Sequence, residues 1–421
     1  MIRARSTARF VLLSAAATLV LAEVGPAWAQ GQADNPNISV QNRRQPDYRP
    51  LNLRAGSFFI APSLGVEGFY DSNVFAANEN EKDDFATVVR PAVSARSDWS
   101  RHALRVGAAA EAALYADYTS NNYLDFELGG AGRVDVTRID VLTPALSFAR
   151  GHESRDEPDS EDVANKRDIT TYYQTDASLD YRHDFVRFFT TLRANFQKLT
   201  YDEDDDGGAA QRDRDRNRYG VGVRVGYKPA ARFEAYADAG YRWIRYEDTD
   251  DVNRDNEGYL LRAGVGIDIT AVLFGDAYVG FESIDYEEFD DQTKPIFGTE
   301  LTWNVTPLTS IILDGTGRIE ETTVTQDGEQ ASGRLRTRVA LNVWHELLRN
   351  LLINGFVGWN RDAFDGIDRT DNTYRIGTRA RYLLNRNFTL EGGYTFVTRD
   401  SDIADREYDQ HVLRLGVAAA L

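Results

Sequence analysis

The sequence predicts an all-β chain: a transmembrane up-and-down antiparallel β-barrel of about 18 strands, within a range of 16–18. Three observations carry this. Apolar and polar residues alternate with a period of two through most of the chain, the joins between alternating segments are long and short by turns, and Tyr and Trp gather near segment ends. The stretch 373–396, TYRIGTRARYLLNRNFTLEGGYTF, shows the first of these. Arg375, Arg379 and Arg381 lie on one face, and Tyr374, Ile376, Ala380 and Tyr382 on the other. Side chains two apart share a face only in a strand.

In chain order, residues 1–29 read as a secretory signal peptide. Arg3, Arg5 and Arg9 precede the apolar run Phe10–Ala22, and Ala27-Trp28-Ala29 fits the small-x-small cleavage pattern. The run is shorter than the ~20 residues a membrane-spanning helix needs. Residues 30–55 form a polar, Pro-containing periplasmic extension without periodicity. A disordered lead-in is the first reading for it, with a partial plug or a docking segment as alternatives. Residues 56–421 are the barrel.

Eighteen alternating segments follow, beginning near 57, 86, 102, 123, 142, 170, 187, 217, 232, 258, 273, 295, 308, 333, 350, 373, 387 and 408. Tyr259, Leu261, Ala263, Val265, Ile267 and Ile269 against Arg262, Gly264, Gly266 and Asp268 are typical. Odd-numbered joins are long and acidic: 76–84, 152–166, 202–216, 247–256, 287–293, 320–331, 361–371 and 400–407, with the join near 119–122 short where a long one is due. Even-numbered joins are short, such as Pro229-Ala230-Ala231, Thr306-Pro307 and Asn385-Arg386. A soluble sandwich has no reason to sort its loops by length, whereas a barrel with short periplasmic turns and longer outer loops does. Tyr70, Trp99, Tyr118, Tyr173, Tyr219, Tyr227, Trp243, Tyr259, Trp303, Trp359, Tyr374 and Tyr382 read as interfacial girdles. Alternation runs to Leu421, so the last strand resembles the terminal signal read by barrel-insertion machinery.

Composition agrees. With 21 Tyr, 21 Phe, 6 Trp and 33 Gly against 1 Met, the chain is built for strands and turns. It has no Cys, so stability rests on packing and backbone pairing. Losing residues 1–29 removes three Arg and Glu23, which moves the net charge from −18 to −20. Such acidity excludes nucleic acid as a partner. In hydrocarbon every backbone group must be paired, and without long apolar runs only a closed barrel achieves this.

The stretch 43–76, RRQPDYRPLNLRAGSFFIAPSLGVEGFYDSNVFA, supplies a resemblance. Pro46, Tyr48, Pro50, Gly56-Ser57-Phe58, Pro62 and Tyr70-Asp71-Ser72-Asn73-Val74-Phe75 resemble the opening of a family of Gram-negative outer-membrane β-barrel porins. Leu390-Glu391-Gly392-Gly393-Tyr394 and Arg399-Asp400-Ser401 look like its closing strands. The resemblance covers roughly Arg44 to Leu421. It implies an outer-membrane barrel of a kind often associated with exopolysaccharide production or export, and it carries over no catalytic or ligand residues.

Candidate pore-lining residues follow from the polar phase. Arg334, Arg336, Arg338, Arg375, Arg379, Arg381 and Arg414 form a basic wall. Glu111, Asp125 and Glu127, joined by Asp135, Asp176, Asp180, Glu234, Asp238, Asp268 and Asp276, form a mostly acidic wall. Opposed charge across a constriction orients dipolar solutes; the alternative is that these groups pair across strands and fill the interior. Asp202, Asp204, Asp206 and Asp213 have part of the spacing of a calcium loop, but a solvated acidic loop is the simpler reading. The enzyme motifs G-x-S-x-G, H-E-x-x-H and a Gly-rich phosphate loop are absent, and no cofactor is expected.

The expected function is a passive outer-membrane pore, for polysaccharide export or for passage of sugars and ions. A structural or adhesive barrel with a blocked lumen, and a barrel enzyme whose site is assembled from distant strands, are the alternatives. Expected partners are outer-membrane lipid and lipopolysaccharide, the barrel-assembly machinery and polysaccharide-export components. Both termini are expected in the periplasm.

Overall fold

A computed structural model describes residues 38–43, 45–161, 169–202, 211–230, 232–250, 252–269 and 272–421. The signal-peptide reading and the central part of the acidic 202–213 loop lie outside these residues. Eighteen long strands form one closed antiparallel sheet in which each pairs with its sequence neighbours. They are β1 Phe58–Asp71, β2 Asp84–Ser97, β3 Ala103–Tyr115, β4 Tyr123–Asp135, β5 Asp140–His152 and β6 Thr171–Asp184. Then come β7 Phe188–Tyr201, β8 Arg216–Ala230, β9 Phe233–Tyr246, β10 Asn256–Ile269, β11 Leu273–Tyr286 and β12 Gln292–Thr306. The last six are β13 Thr309–Glu320, β14 Gly333–Leu348, β15 Leu351–Asp365, β16 Thr370–Leu383, β17 Phe388–Ser401 and β18 Tyr408–Ala420. The ring closes where β18 pairs with β1, from Ser63↔Ala420 to Asp71↔Val412.

Burial is inverted relative to a water-soluble core. Leu415 is 71% exposed and Val279 67%, whereas Arg336 is 3% and Asp362 2% exposed. The apolar phase therefore faces outward, where only lipid tails satisfy so much apolar surface, and the charged phase faces the lumen. Trp303, Tyr382 and Trp99 stand on the outer face near the short-turn rim, and Tyr259, Tyr374 and the stacked pair Tyr219–Trp243 stand near the long-loop rim. These are the girdle positions at which an aromatic ring meets both lipid and water.

Strands overrun the sequence-based starts by a few residues at the long-loop rim, because polar residues there still pair in the ladder. The largest difference is the join expected over 361–371. The ladder continues through Ala363↔Thr370, leaving only residues 366–369 as the turn. Asp362 looked like a loop residue because it is charged, but the inner face of this sheet is where charge belongs, while Arg361, on the opposite phase, is exposed near the rim. The join between β13 and β14 carries its own two-residue hairpin, Thr325–Gln326 with Glu329–Gln330. Its central Asp327 and Gly328 have φ of 52° and 86°, both in the left-handed region that a type I′ turn needs.

The lead-in is ordered where it is described. Val40 is fully buried against Trp344 and Leu352 on the inner face of β14 and β15, at the short-turn rim. Its N–H donates to Ser310 Oγ at 2.8 Å, and Gln45 Nε2 donates to Glu346 Oε2 at 3.0 Å. One apolar side chain in a polar stretch has no periodicity, so a disordered lead-in was the simplest expectation from sequence.

Candidate functional site

The inner face of β7–β11 holds a continuous charged network. Asp238 on β9 accepts from Arg224 Nε at 2.6 Å and Nη2 at 2.8 Å, and from Arg262 Nε at 2.7 Å. Tyr236 OH donates to Asp276 Oδ1 at 2.6 Å. The Tyr236 ring lies flat on the wall because its cross-strand neighbour is Gly264, where an added Cβ would stand 2.5 Å from the ring. Arg224 caps the other side of that ring at 3.6 Å. Phe189 repeats the arrangement between Gly226 and Arg182, whose guanidinium is 3.8 Å from the ring centroid. Glycine in these strands makes room for a flattened aromatic, which in turn seats an arginine.

The loop after β5 turns into the lumen. Residues 153–161, with the short helix α1 Pro158–Glu161, carry Asp156, Glu157 and Asp159 to the far wall. Asp156 Oδ2 meets Arg375 Nη2 at 2.7 Å, and its carbonyl accepts from Arg399 Nη2. Glu157 Oε2 lies 3.0 Å from Arg336 Nη2 and 3.5 Å from Arg334 Nη2. Asp159 pairs with Arg334 at 3.4 Å and accepts from Thr322 Oγ1 at 2.6 Å and the Thr323 N–H at 2.9 Å. At the root, Arg214 grips Glu153, and Tyr201 OH donates to the same carboxylate at 3.1 Å. A segment leaving β5 reaches the inner faces of β14, β16 and β17 only by crossing the bore. Opposite the docked loop's strands, small side chains, Ser63, Ala92, Gly107, Ala109, Gly129, Ala145 and Ser147, occupy the inner register of β1–β5.

The candidate residues fall as follows. Arg334 and Arg336 are buried in the loop's docking site, together with Glu320 and Asp362. Arg338 Nε donates to Asn360 Oδ1 at 3.3 Å, and Arg375 holds Asp156. Arg381 pairs with Glu391 at 2.7 Å and Arg414 with Glu67 at 3.0 Å. Arg379 lies 5.3 Å from the Phe356 centroid and has no ion pair among the described residues. Glu111 accepts from Arg90 Nε and from Tyr123 OH, each at 2.6 Å. Asp125 meets His152 Nδ1 at 2.8 Å, and Glu127 has no ion pair among the described residues.

Two groups of functional side chains escaped the sequence reading. The acidic wall carries its own arginines, Arg90, Arg182, Arg193, Arg224 and Arg262, so basic and acidic residues are interleaved rather than segregated. The signal was available, since each sits in the polar phase of its strand. Asp156, Glu157 and Asp159 left no signal, because a loop has no period from which to infer where it folds. Of the candidate calcium positions, Asp202 accepts from Thr171 Oγ1 at 2.6 Å, while Asp204 and Asp206 lie outside the described residues.

Burial alone would raise the Asp159 carboxyl, but the Arg334 and Arg214 guanidiniums outweigh it and hold the group at about 2. Asp156 is likewise pushed up by burial and pulled below the ordinary carboxylate value by Arg375 and Arg399. A folded-state pKa depressed below the unfolded value contributes stability above the unfolded pKa, roughly 3.9 for Asp, which is lost as pH falls through the folded one. The loop is therefore expected to stay docked from pH 7 to about 4.5 and to release as pH approaches 2. Protease cutting at the 153–161 segment, followed against pH, checks this; release already at pH 5 would show that these carboxylates are not held by arginine.

A family model described as "Putative beta-barrel porin 2" matches residues 45–421. No curated protein matches. Among solved structures, the chain is similar to OpdO of Pseudomonas aeruginosa, with 14% identity over 86% of this chain and 97% of that one and a TM-score of 0.46. It is similar to Pseudomonas aeruginosa OpdK, solved with vanillate, with 10% identity over 86% and 98% and a TM-score of 0.47. It is similar also to the siderophore receptor PirA of the same organism, with 8% identity over 89% and 81% and a TM-score of 0.43.

Proposed function

Because this chain belongs to the Putative beta-barrel porin 2 family, an outer-membrane family of channels, we propose that it is a passive diffusion pore for small hydrophilic solutes. The observation that carries this reading is the loop 153–161, docked across the bore by carboxylate–guanidinium pairs. A crossing loop leaves an eyelet between itself and the small-residue wall of β1–β5, with charge on both sides. Such a site sorts sugars and ions by size and dipole. Passage of sugars and ions is put before polysaccharide export, since an extended polymer needs the loop withdrawn.

The rim with short turns holds Leu421 and the lead-in, which supports placing both termini in the periplasm. Arg379, Arg381, Arg414, Glu111, Asp125 and Glu127 line the bore away from the docking site, and Arg338 lies beside it, within the field of Glu320 and Glu157. The outer face meets lipid and, on the outer leaflet, lipopolysaccharide; folding needs the barrel-assembly machinery, and export components are partners only if the polymer reading holds.

Planar-bilayer recording on the purified mature barrel tests the proposal. Stepwise ohmic insertions are expected in KCl. A barrel that inserts, shown by resistance of its membrane-embedded part to protease, yet passes no current would replace the pore with the blocked structural barrel.

A further inference from the structure

The inner wall beneath the 321–332 loop contains a buried arginine that has no ion pair among the described residues. Arg218, on β8, is 8% exposed, its Nε is buried without a hydrogen bond, and it makes no ion pair among the described residues. The charged groups acting on it are Arg242, Glu321 and Arg216. Arg242, on the adjacent strand, spends its charge on Glu282 at 3.0 Å and comes within 3.6 Å of Glu321 Oε1. Arg254, bonded to the carbonyls of Thr322 and Ala331, adds a further positive charge to the same pocket wall. Among the described residues, four arginines, Arg216, Arg218, Arg242 and Arg254, thus share two glutamates, Glu282 and Glu321. A guanidinium does not shed its proton, and burying one without an anion costs several kcal/mol. Among the described residues, guanidiniums outnumber carboxylates here, and Arg218 is the one left without an ion pair.

The pocket also holds unmet groups of the opposite kind. Glu321 Oε1, Arg242 Nη2 and Tyr286 OH are buried and make no hydrogen bond. A ligand that satisfies both sets carries a carboxylate for Arg218 and hydroxyl groups that donate to Glu321 and accept from Arg242 or Tyr286. The geometry points to a hydroxylated carboxylic acid, such as an acidic sugar unit, bound at Arg218 with its hydroxyls on Glu321 and Tyr286. This inference rests on the pore reading for access, since Arg218 lies on the lumen-facing phase of β8.

The test uses the full mature barrel in detergent, with D-galacturonate as probe and acetate and glucose as controls, read by calorimetry and separately by current block in bilayers. Galacturonate is expected to bind at least tenfold more tightly than either control. Arg218→Gln is expected to weaken galacturonate at least tenfold with little effect on glucose. Tyr286→Phe and Glu321→Gln, which leave Arg218 in place, are expected to lose the preference over acetate while keeping carboxylate binding. Galacturonate binding no better than acetate, or unaltered in all three variants, overturns the inference and leaves a pocket that holds water only. Calorimetric binding without current would sink the pore reading and keep the site; current without binding would do the reverse.

Discussion

Arg336→Met lowers the unfolding free energy of the barrel by roughly 3–5 kcal/mol, the range for removing one partner of a buried ion pair. Arg336 is 3% exposed and meets Asp362, Glu320 at 3.1 Å and Glu157 at 3.0 Å. Methionine fills much of the volume, so the loss is electrostatic: three carboxylates remain with fewer cations among them. Arg334 stands 3.5 Å from Glu320 and 3.8 Å from Asp362 and takes up part of that charge, which places the loss toward the lower end. Arg336→Lys keeps the charge and loses the planar fork, so it falls between the two. Urea titration of the folded barrel in lipid vesicles, followed by Trp fluorescence, measures the difference. A methionine variant within about 1 kcal/mol of the parent would mean that water screens this cluster as it does a surface pair.

That cluster also separates what was legible in the sequence from what was not. The barrel was legible because a membrane imposes one rule on every strand: one phase apolar, the other free. Tyr259-Leu260-Leu261-Arg262 obeys it locally, so strand number, loop alternation and inward phase follow from the chain alone. Arg334 and Arg336 were assigned to the lumen on phase. Their partners were a different matter. Asp362 was hidden by the habit of reading charge as loop, although its phase matches that of Asn360 and Phe364. Glu157 and Asp159 come from a loop more than 170 positions away in sequence, and no period records where a loop lands. Val40 shows the same limit at the other rim, as a single apolar side chain whose pocket is made by β14 and β15.

The triple variant Asp156→Asn, Glu157→Gln, Asp159→Asn tests the loop itself. Each substitution keeps side-chain volume and removes the charge that faces Arg375, Arg336 or Arg334. With four ion pairs gone, the loop has only hydrogen bonds from neutral side chains to the far wall, each about half as strong. Single-channel conductance is expected to rise roughly twofold as the loop leaves the bore of a barrel this wide. The sign of selectivity moves too: three negative charges leave the bore, Arg375 loses its partner, and Arg334 and Arg336 keep only Glu320 and Asp362, so anion permeability rises relative to cation permeability. Asp405→Asn, on an exposed outer turn, should alter neither quantity. Conductance and selectivity that both stay at parental values would mean the permeant ions never pass residues 153–161, and the eyelet would have to lie elsewhere along the bore.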